Sequence, residues 1–203
     1  GVLVAWSDPR VNAPVIFAQR LGGDGAIATG WLADGVAVST ATGGEYAPAV
    51  AADGAGGAFL AWVDARGADA DLYAQHVTSA GTPAWADSDV PLCTLPGDQV
   101  SPGLVTDGFG GLIAGWQDAR GEPRAYAQRL DGTGVPPAGW PENGRVLADS
   151  NLVVEPGELI SDGQGGAICA WSGLAEPDVT GTPDVFAARI GGDGTVPALA
   201  TLV

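Results

Sequence analysis

Four short stretches of the chain are apolar at every consecutive position and end in tryptophan: Val2–Trp6 (VLVAW), Ala58–Trp62 (AFLAW), Leu112–Trp116 (LIAGW) and Ala167–Trp171 (AICAW). None alternates between apolar and polar residues. Alternation marks a strand with one face in water, whereas an unbroken apolar run bounded by turn residues predicts a strand buried on both faces. Shorter patterned segments surround each run. In the second copy the pattern predicts strands over Ala47–Ala52, Ala58–Asp64, Asp71–Val77 and Val90–Thr94. The Asp-Gly and Gly-Gly pairs between the first two favour positive φ and mark a hairpin.

The pattern recurs. Trp6, Trp62, Trp116 and Trp171 are separated by 56, 54 and 55 residues. The turn Asp-Gly-x-Gly-Gly precedes three of them, at Asp53, Asp107 and Asp162. After the Trp come WSDPR, WVDAR and WQDAR, and then FAQR at Phe17, YAQH at Tyr73, YAQR at Tyr126 and FAAR at Phe186. A second Trp follows in three copies, Trp31, Trp85 and Trp140. These repeats divide a single domain, 1–203, at about 1–46, 47–100, 101–155 and 156–203. A four-stranded antiparallel unit covered on both faces is a blade sandwiched between two neighbours, so the chain is predicted to be all-β, a β-propeller with about four blades. The four blades either close on themselves or form part of a larger propeller. Tandem immunoglobulin-like sandwiches need about 100 residues each and are disfavoured by the period.

The pattern D-G-x-G-G-[apolar]-W-x-D-x-R…[YF]-A-Q-R…W resembles the repeats of large secreted bacterial propeller-like proteins, which often carry a C-terminal sorting or immunoglobulin-like domain. The turn is similar to a degenerate Asp-box, the S-x-D-x-G-x-T-W hairpin of sialidase-type propellers. The resemblance covers the whole chain. It implies an extracytoplasmic protein, so the chain is expected to be extracellular or at the cell surface, with carbohydrate or protein there as the expected partner.

Charge narrows the partners. The formal net charge is −16, and all eight basic residues are Arg. Such a surface repels phosphate backbones, so nucleic acid is not an expected partner. No apolar run approaches the ~18 residues of a membrane-spanning helix, so no membrane insertion is expected. The sequence contains no Met, from which a longer or processed native product is expected. Cys93 and Cys169 align with small core positions of the other copies and lack metal-binding spacing. Both are expected to be unpaired.

Candidate chemistry falls into three sets. Asp8 and Arg10, Asp64 and Arg66, and Asp118 and Arg120 stand two residues apart, on the same strand face as the preceding Trp. They form either a ring of ligand-binding pairs or a structural lock with Arg packed on Trp. In the fourth copy Asp and Arg are replaced by Gly173 and Ala175, and the Gln of the other copies (Gln19, Gln75, Gln128) by Ala188. Their joint loss favours one hydrogen-bonded structural unit of Asp, Arg and Gln. Trp31, Trp85 and Trp140 are stacking platforms for sugar rings if exposed, and loop pins if buried. The irregular segment Ser172–Pro183 carries Glu176 and Asp178, unmatched in the other copies, and is a candidate ligand site. The Asp-Gly turns at Asp24, Asp131 and Asp193 suit either Ca²⁺ or ordinary turn chemistry. His76 replaces a repeated Arg (Arg20, Arg129, Arg189) and is not expected to be catalytic. With no catalytic residues identified, the leading expectation is a non-enzymatic binding, adhesion or scaffolding propeller. The alternatives are a sialidase-like glycoside-processing enzyme and a structural subunit of a surface assembly.

Overall fold

The computed structural model describes residues 1–10, 13–41, 43–85, 89–148, 151–155, 158–175, 181–197 and 200–202. They form four antiparallel sheets and no helix. Blade 1 holds β1 (Val2–Asp8), β2 (Val15–Leu21) and β3 (Val36–Ala37). Blade 2 holds β4 (Glu45–Ala52), β5 (Ala58–Asp64), β6 (Asp71–Val77) and β7 (Val90–Cys93). Blade 3 repeats it with β8 (Gln99–Thr106), β9 (Leu112–Asp118), β10 (Arg124–Leu130) and β11 (Arg145–Val146). In blade 4, β12 (Asn151–Glu155) and β13 (Leu159–Ser161) both pair with β14 (Ala167–Ala175), followed by β15 (Asp184–Ile190) and β16 (Ala200–Leu202). The chain is a β-propeller of about four blades.

The first strands run longer than the sequence pattern predicts. Glu45 and Tyr46 pair with Asp64 and Val63 before a register shift that ends at Ala49. The same shift separates Val100 from Gly103. At each bulge a residue before Pro takes a left-handed conformation, Ala47 at φ 49° and Ser101 at φ 56°. A proline has no N–H to give to a ladder, so it fits where pairing is interrupted.

The unbroken apolar runs follow from how the sheets stack. Ala58, Leu60 and Trp62 of β5 pack with Ile16, Ala18 and Val36 of blade 1. Phe59, Ala61 and Val63, on the opposite face, pack with Leu112, Ala114 and Trp116 of blade 3. Ile113 then faces Ala167, Cys169 and Trp171 of blade 4. One strand therefore supplies core to two interfaces, and neither face tolerates a polar residue.

The two end blades depart from that expectation. In β1, Leu3 and Ala5 pack against the blade 2 core, but Val2 and Val4 are 51% and 43% exposed. In β14, Ala167, Cys169 and Trp171 are buried while Ile168 and Ala170 are half-buried. Each of these strands has a neighbouring sheet on one side. Consecutive blades pack through β1 with β4, β4 with β8, and β8 with β13, and no extensive contact among the described residues joins blade 4 to blade 1.

Both cysteines are free and buried. Burial pushes the Cys93 thiol up to about 11 and the Cys169 thiol up to about 12. The reactive thiolate is therefore scarce at pH 8 in the folded protein. Iodoacetamide at pH 8 is expected to leave both unmodified in the native state and to label both in denaturant without reductant. Mass spectrometry of the intact chain reads the result.

Candidate functional site

Each Asp–Arg pair sits where the second strand of a blade ends. Asp8 and Arg10 form an ion pair, as do Asp64 and Arg66, and Asp118 and Arg120. The backbone N–H of each Arg also donates to its Asp, at 2.9, 2.8 and 2.9 Å. The guanidinium then lies over the aromatic ring of the third strand, its Cζ 4.2 Å from the ring centre of Phe17, 4.3 Å from that of Tyr73 and 4.1 Å from that of Tyr126. Arg thus packs on this ring, whereas the sequence pattern had suggested the Trp. The reason is register: Trp62 pairs with Tyr73 across the ladder, and Asp64 extends the strand beyond them.

The remaining donors of Arg reach the loop that leads to the fourth strand. Arg10 donates to the Asp34 carbonyl at 2.9 Å, Arg66 to the Asp89 carboxylate at 2.9 Å, and Arg120 to the Asn143 carbonyl at 2.8 Å. The indole N–H of Trp6 and of Trp116 donates to the same Asp, at 3.1 and 2.9 Å. Each motif therefore ties two strands and one loop of a single blade. The Arg10 side chain holds the Asp8 carboxyl far below the usual carboxylate range. Burial raises the Asp118 carboxyl, but hydrogen bonds from Arg120 and Trp116 outweigh it and leave it below its ordinary value. The Trp62 indole N–H of blade 2, where Asp64 is present, and the Trp171 indole N–H of blade 4, where Gly173 replaces the Asp, have no partner among the described residues.

The Gln does not join this unit. Gln19 pairs across the ladder with Val4, four positions from Asp8, roughly 13 Å along a strand. Its amide donates to the Leu32 carbonyl at 2.7 Å and its oxygen accepts the Arg20 N–H. Gln128 repeats this with the Pro141 carbonyl and the Arg129 N–H. Gln75 accepts the N–H groups of His76 and Trp85. Joint loss in blade 4 reflects two separate loop anchors, because both Asp–Arg and Gln hold the loop before the fourth strand.

The loop tryptophans cross between blades. Trp31 donates its indole N–H to the Ser79 carbonyl of blade 2 at 3.1 Å, Trp85 to Gly132 of blade 3 at 3.0 Å, and Trp140 to Gly192 of blade 4 at 3.0 Å. The rings are 5–6% exposed, which leaves no open face for a sugar to stack on. Gly134, at φ 84°, lies against the Trp85 ring, where a Cβ would stand 3.0 Å from it. The tight turn and the close approach both require Gly there.

The remaining candidates are placed as follows. Asp131 and Asp193 each accept the N–H and hydroxyl of a Thr two residues on, and Asp24 accepts the Ala26 N–H. These are turn contacts within one loop. Among the described residues no group of three or more His, Cys, Asp or Glu could hold a metal ion. Glu176 and Asp178 lie outside the described residues. His76 contacts Asp53 at 2.9 Å and stacks on Phe59.

Two features lie beyond the sequence pattern. Glu45 is fully buried. One of its oxygens accepts the Ser39 hydroxyl and the Ile16 N–H, and the other has no hydrogen-bond partner among the described residues. Burial, reinforced by the nearby Asp89 and Asp64, pushes its carboxyl up to about 7. Gln99 occupies the same ladder position in blade 3, opposite Asp118. The second feature is a groove of about 490 Å³ on the rim between blades 2 and 3. Its apolar wall includes Trp85, Pro91 and Pro136, and its polar groups include Thr94, Glu142 and Asn143. The Asn143 side chain accepts the Thr94 N–H at 3.1 Å and joins the two blades. The two loops beside it differ in length: 12 residues separate β6 from β7, and 14 separate β10 from β11.

No protein-family model and no curated protein matches the chain. Among solved structures it is similar to the putative TolB from Agrobacterium tumefaciens, with a TM-score of 0.52 and 18% identity over 100% of this chain. The chain spans 61% of the length of that protein. It also aligns with the endo-arabinase from Bacteroides thetaiotaomicron VPI-5482, with a TM-score of 0.44 and 15% identity over 99% of this chain and 76% of that one. The first likeness shows the propeller fold.

Two variants test the electrostatics. Asp118→Asn is expected to cost about 1–3 kcal/mol in urea unfolding at pH 7, because it weakens a fully buried acceptor of Arg120 and Trp116. Since the folded-state value is depressed, the wild-type advantage is present above the unfolded carboxylate range. It fades as pH falls through the folded value. Glu45 has the opposite sign. Between its ordinary 4.5 and about 7 the folded state binds more protons than the unfolded state. Wild-type stability should therefore fall across that window by about 1–3 kcal/mol and flatten above it. Glu45→Gln, which copies blade 3, should remove that slope.

Proposed function

We propose that this chain is a non-enzymatic, extracellular or cell-surface propeller that binds a carbohydrate or protein ligand on its rim. The observation that carries the reading is that the repeated polar residues are already engaged. Asp, Arg, Gln and the loop tryptophans of blades 1 to 3 direct their polar atoms into their own blade or the next one. A ligand is therefore left with groups that differ between blades. The groove between blades 2 and 3 offers such a set, Thr94, Glu142 and Asn143 beside an apolar wall. That mixture suits a polyol or an extended peptide. The net charge of −16 weighs against nucleic acid, and no helix of the described residues is long and apolar enough to cross a membrane.

The glycoside-processing alternative needs carboxylates that a substrate can reach. The carboxyl raised furthest, at Glu45, is in the range of a general acid, but its side chain is sealed between blades and held by Ser39 and Ile16. The irregular segment 172–183, with Glu176 and Asp178, remains a second proposed contact for the ligand.

A glycan array probed with the purified chain tests the reading. Binding to a defined glycan set is expected, and Thr94→Ala with Glu142→Ala, both exposed positions, should weaken it roughly tenfold by removing polar contacts. Far-UV CD should stay unchanged. Binding that survives this double variant but not trimming of 174–181 would move the site to the irregular segment. Turnover of a bound glycan would replace the binding reading with the enzymatic one.

A further inference from the structure

The backbone along the rim groove between blades 2 and 3 is largely committed. On the blade 3 side the N–H groups of Thr133 and Val135 are given to the Asp131 carboxylate, and that of Gly134 to the Asp131 carbonyl. On the blade 2 side the Thr94 N–H is given to the Asn143 side chain, and Pro91 has none to give. Pro136 is a second position without a donor. A peptide laid down as a strand needs free backbone partners, and these segments spend theirs on the fold. Recognition in this groove therefore falls to side chains.

Three side chains are available for it. Thr94 and Glu142 are exposed. Asn143 is fixed at φ 62°, with its carbonyl on Arg120 and its side-chain oxygen on the Thr94 N–H, so its amide N–H groups remain to donate. Beside them Pro91, Pro136 and Val135, the last 55% exposed, form an apolar wall. A hydroxyl, a carboxylate and an amide next to an apolar face match the hydroxyl edge and the C–H face of a sugar ring. Charge then selects among sugars. Glu142 is the one charged side chain among the described residues that line the groove. The arginines of the flanking strands are committed elsewhere, Arg129 to Asp107 and Arg145 to the Gly139 carbonyl. With a net charge of −16 on the chain, an anionic ring meets repulsion here, whereas an ammonium group meets a carboxylate.

We propose, resting on the reading that this groove is the ligand site, that it selects glycans carrying a free amine, such as unacetylated hexosamine units, over neutral and acidic ones. The sugar ring lies against Pro91, Val135 and Pro136, its ammonium group donates to the Glu142 carboxylate, and its hydroxyls pair with Thr94 and Asn143. Uronates and sialic acids are selected against, because no guanidinium among the described lining residues is there to receive a carboxylate.

Trisaccharides of equal length test this by calorimetry at mildly acidic pH, where sugar amines are protonated: a β-linked glucosamine trimer, its N-acetylated form and a galacturonate trimer. The glucosamine trimer is expected to bind about fivefold more tightly than the N-acetylated one, the upper range for a single exposed ion pair. The galacturonate trimer should show no binding at millimolar concentration. Glu142→Gln should bring the two hexosamine trimers to within about twofold of each other, since it removes that ion pair. Glu122→Gln, the same charge change at an exposed turn of blade 3 outside the groove, should leave the preference intact. Thr94→Ala should weaken both hexosamine trimers. Equal or weaker binding of the glucosamine trimer, still weakened by Thr94→Ala, overturns the amine selection and leaves the groove as the ligand site. A preference that Glu122→Gln removes as fully as Glu142→Gln overturns it too, by assigning the effect to the field of the whole surface. Binding of no trimer, or binding that ignores both Thr94→Ala and Glu142→Gln, removes the groove as the site and the selection with it. Tri-lysine binding more tightly than the glucosamine trimer would put a basic peptide in the groove and overturn a sugar as the occupant.

Discussion

The contact that sets one blade against the next is an indole N–H reaching a backbone carbonyl about fifty residues away in the following sheet. Trp31 to Ser79, Trp85 to Gly132 and Trp140 to Gly192 repeat it three times. Apolar packing between second strands is large but non-directional, and two stacked sheets joined by it alone could slide. The indole clasp supplies direction at the rim. It works because the acceptor turn carries a glycine that the ring can approach closely: in the clearest case a Cβ on Gly134 would stand 3.0 Å from the Trp85 ring. Inside blades 1 to 3 the Asp–Arg motif and the Gln hold the long loop in place, so that the loop can deliver its indole to the neighbour.

Much of this arrangement was legible in the sequence, for a reason that particular residues show. AFLAW is unbroken because Leu60 faces blade 1 and Phe59 faces blade 3. A strand with that double duty cannot alternate, so the buried blade core is visible in one line of sequence. The turns were equally legible, since Asp53, Asp107 and Asp162 each accept two backbone N–H groups of the hairpin they open. Periodicity could not tell VLVAW from AFLAW, although Val2 and Val4 are exposed and their counterparts are not. The composition of a strand records the interface it is suited to, and the presence of the neighbour is a separate fact.

The polar contacts were harder to read. Asp8, Arg10 and Gln19 vary together across the repeats, yet Gln19 lies four ladder positions from Asp8. Residues that serve the same loop can be lost together without touching. The partners of the loop tryptophans were hidden for another reason: no local spacing reports a contact made across 47–52 residues. The rim groove has no residue signature at all. It is lined by residues of two blades whose loops differ in length and sequence, a property of the pair and of neither blade alone.

That difference bears on where function can reside in a repeat of this kind. A residue kept in several blades must satisfy the same neighbours several times, so its polar atoms are consumed by the fold. Glu45 and Gln99 show how narrow the freedom is. Both are fully buried at the same ladder position, and each leaves one oxygen without a hydrogen bond among the described residues. The acid adds a charge that must be removed from water, whereas the amide avoids it. Blade 2 tolerates the acid because Ser39 and the Ile16 N–H satisfy its other oxygen and Arg66 stands 3.9 Å from the unsatisfied one. A variation inside the sheets therefore needs compensation from two blades at once. Variation on the rim needs none, since Glu142 and Thr94 are exposed, and recognition can change there while the apolar stack beneath stays fixed.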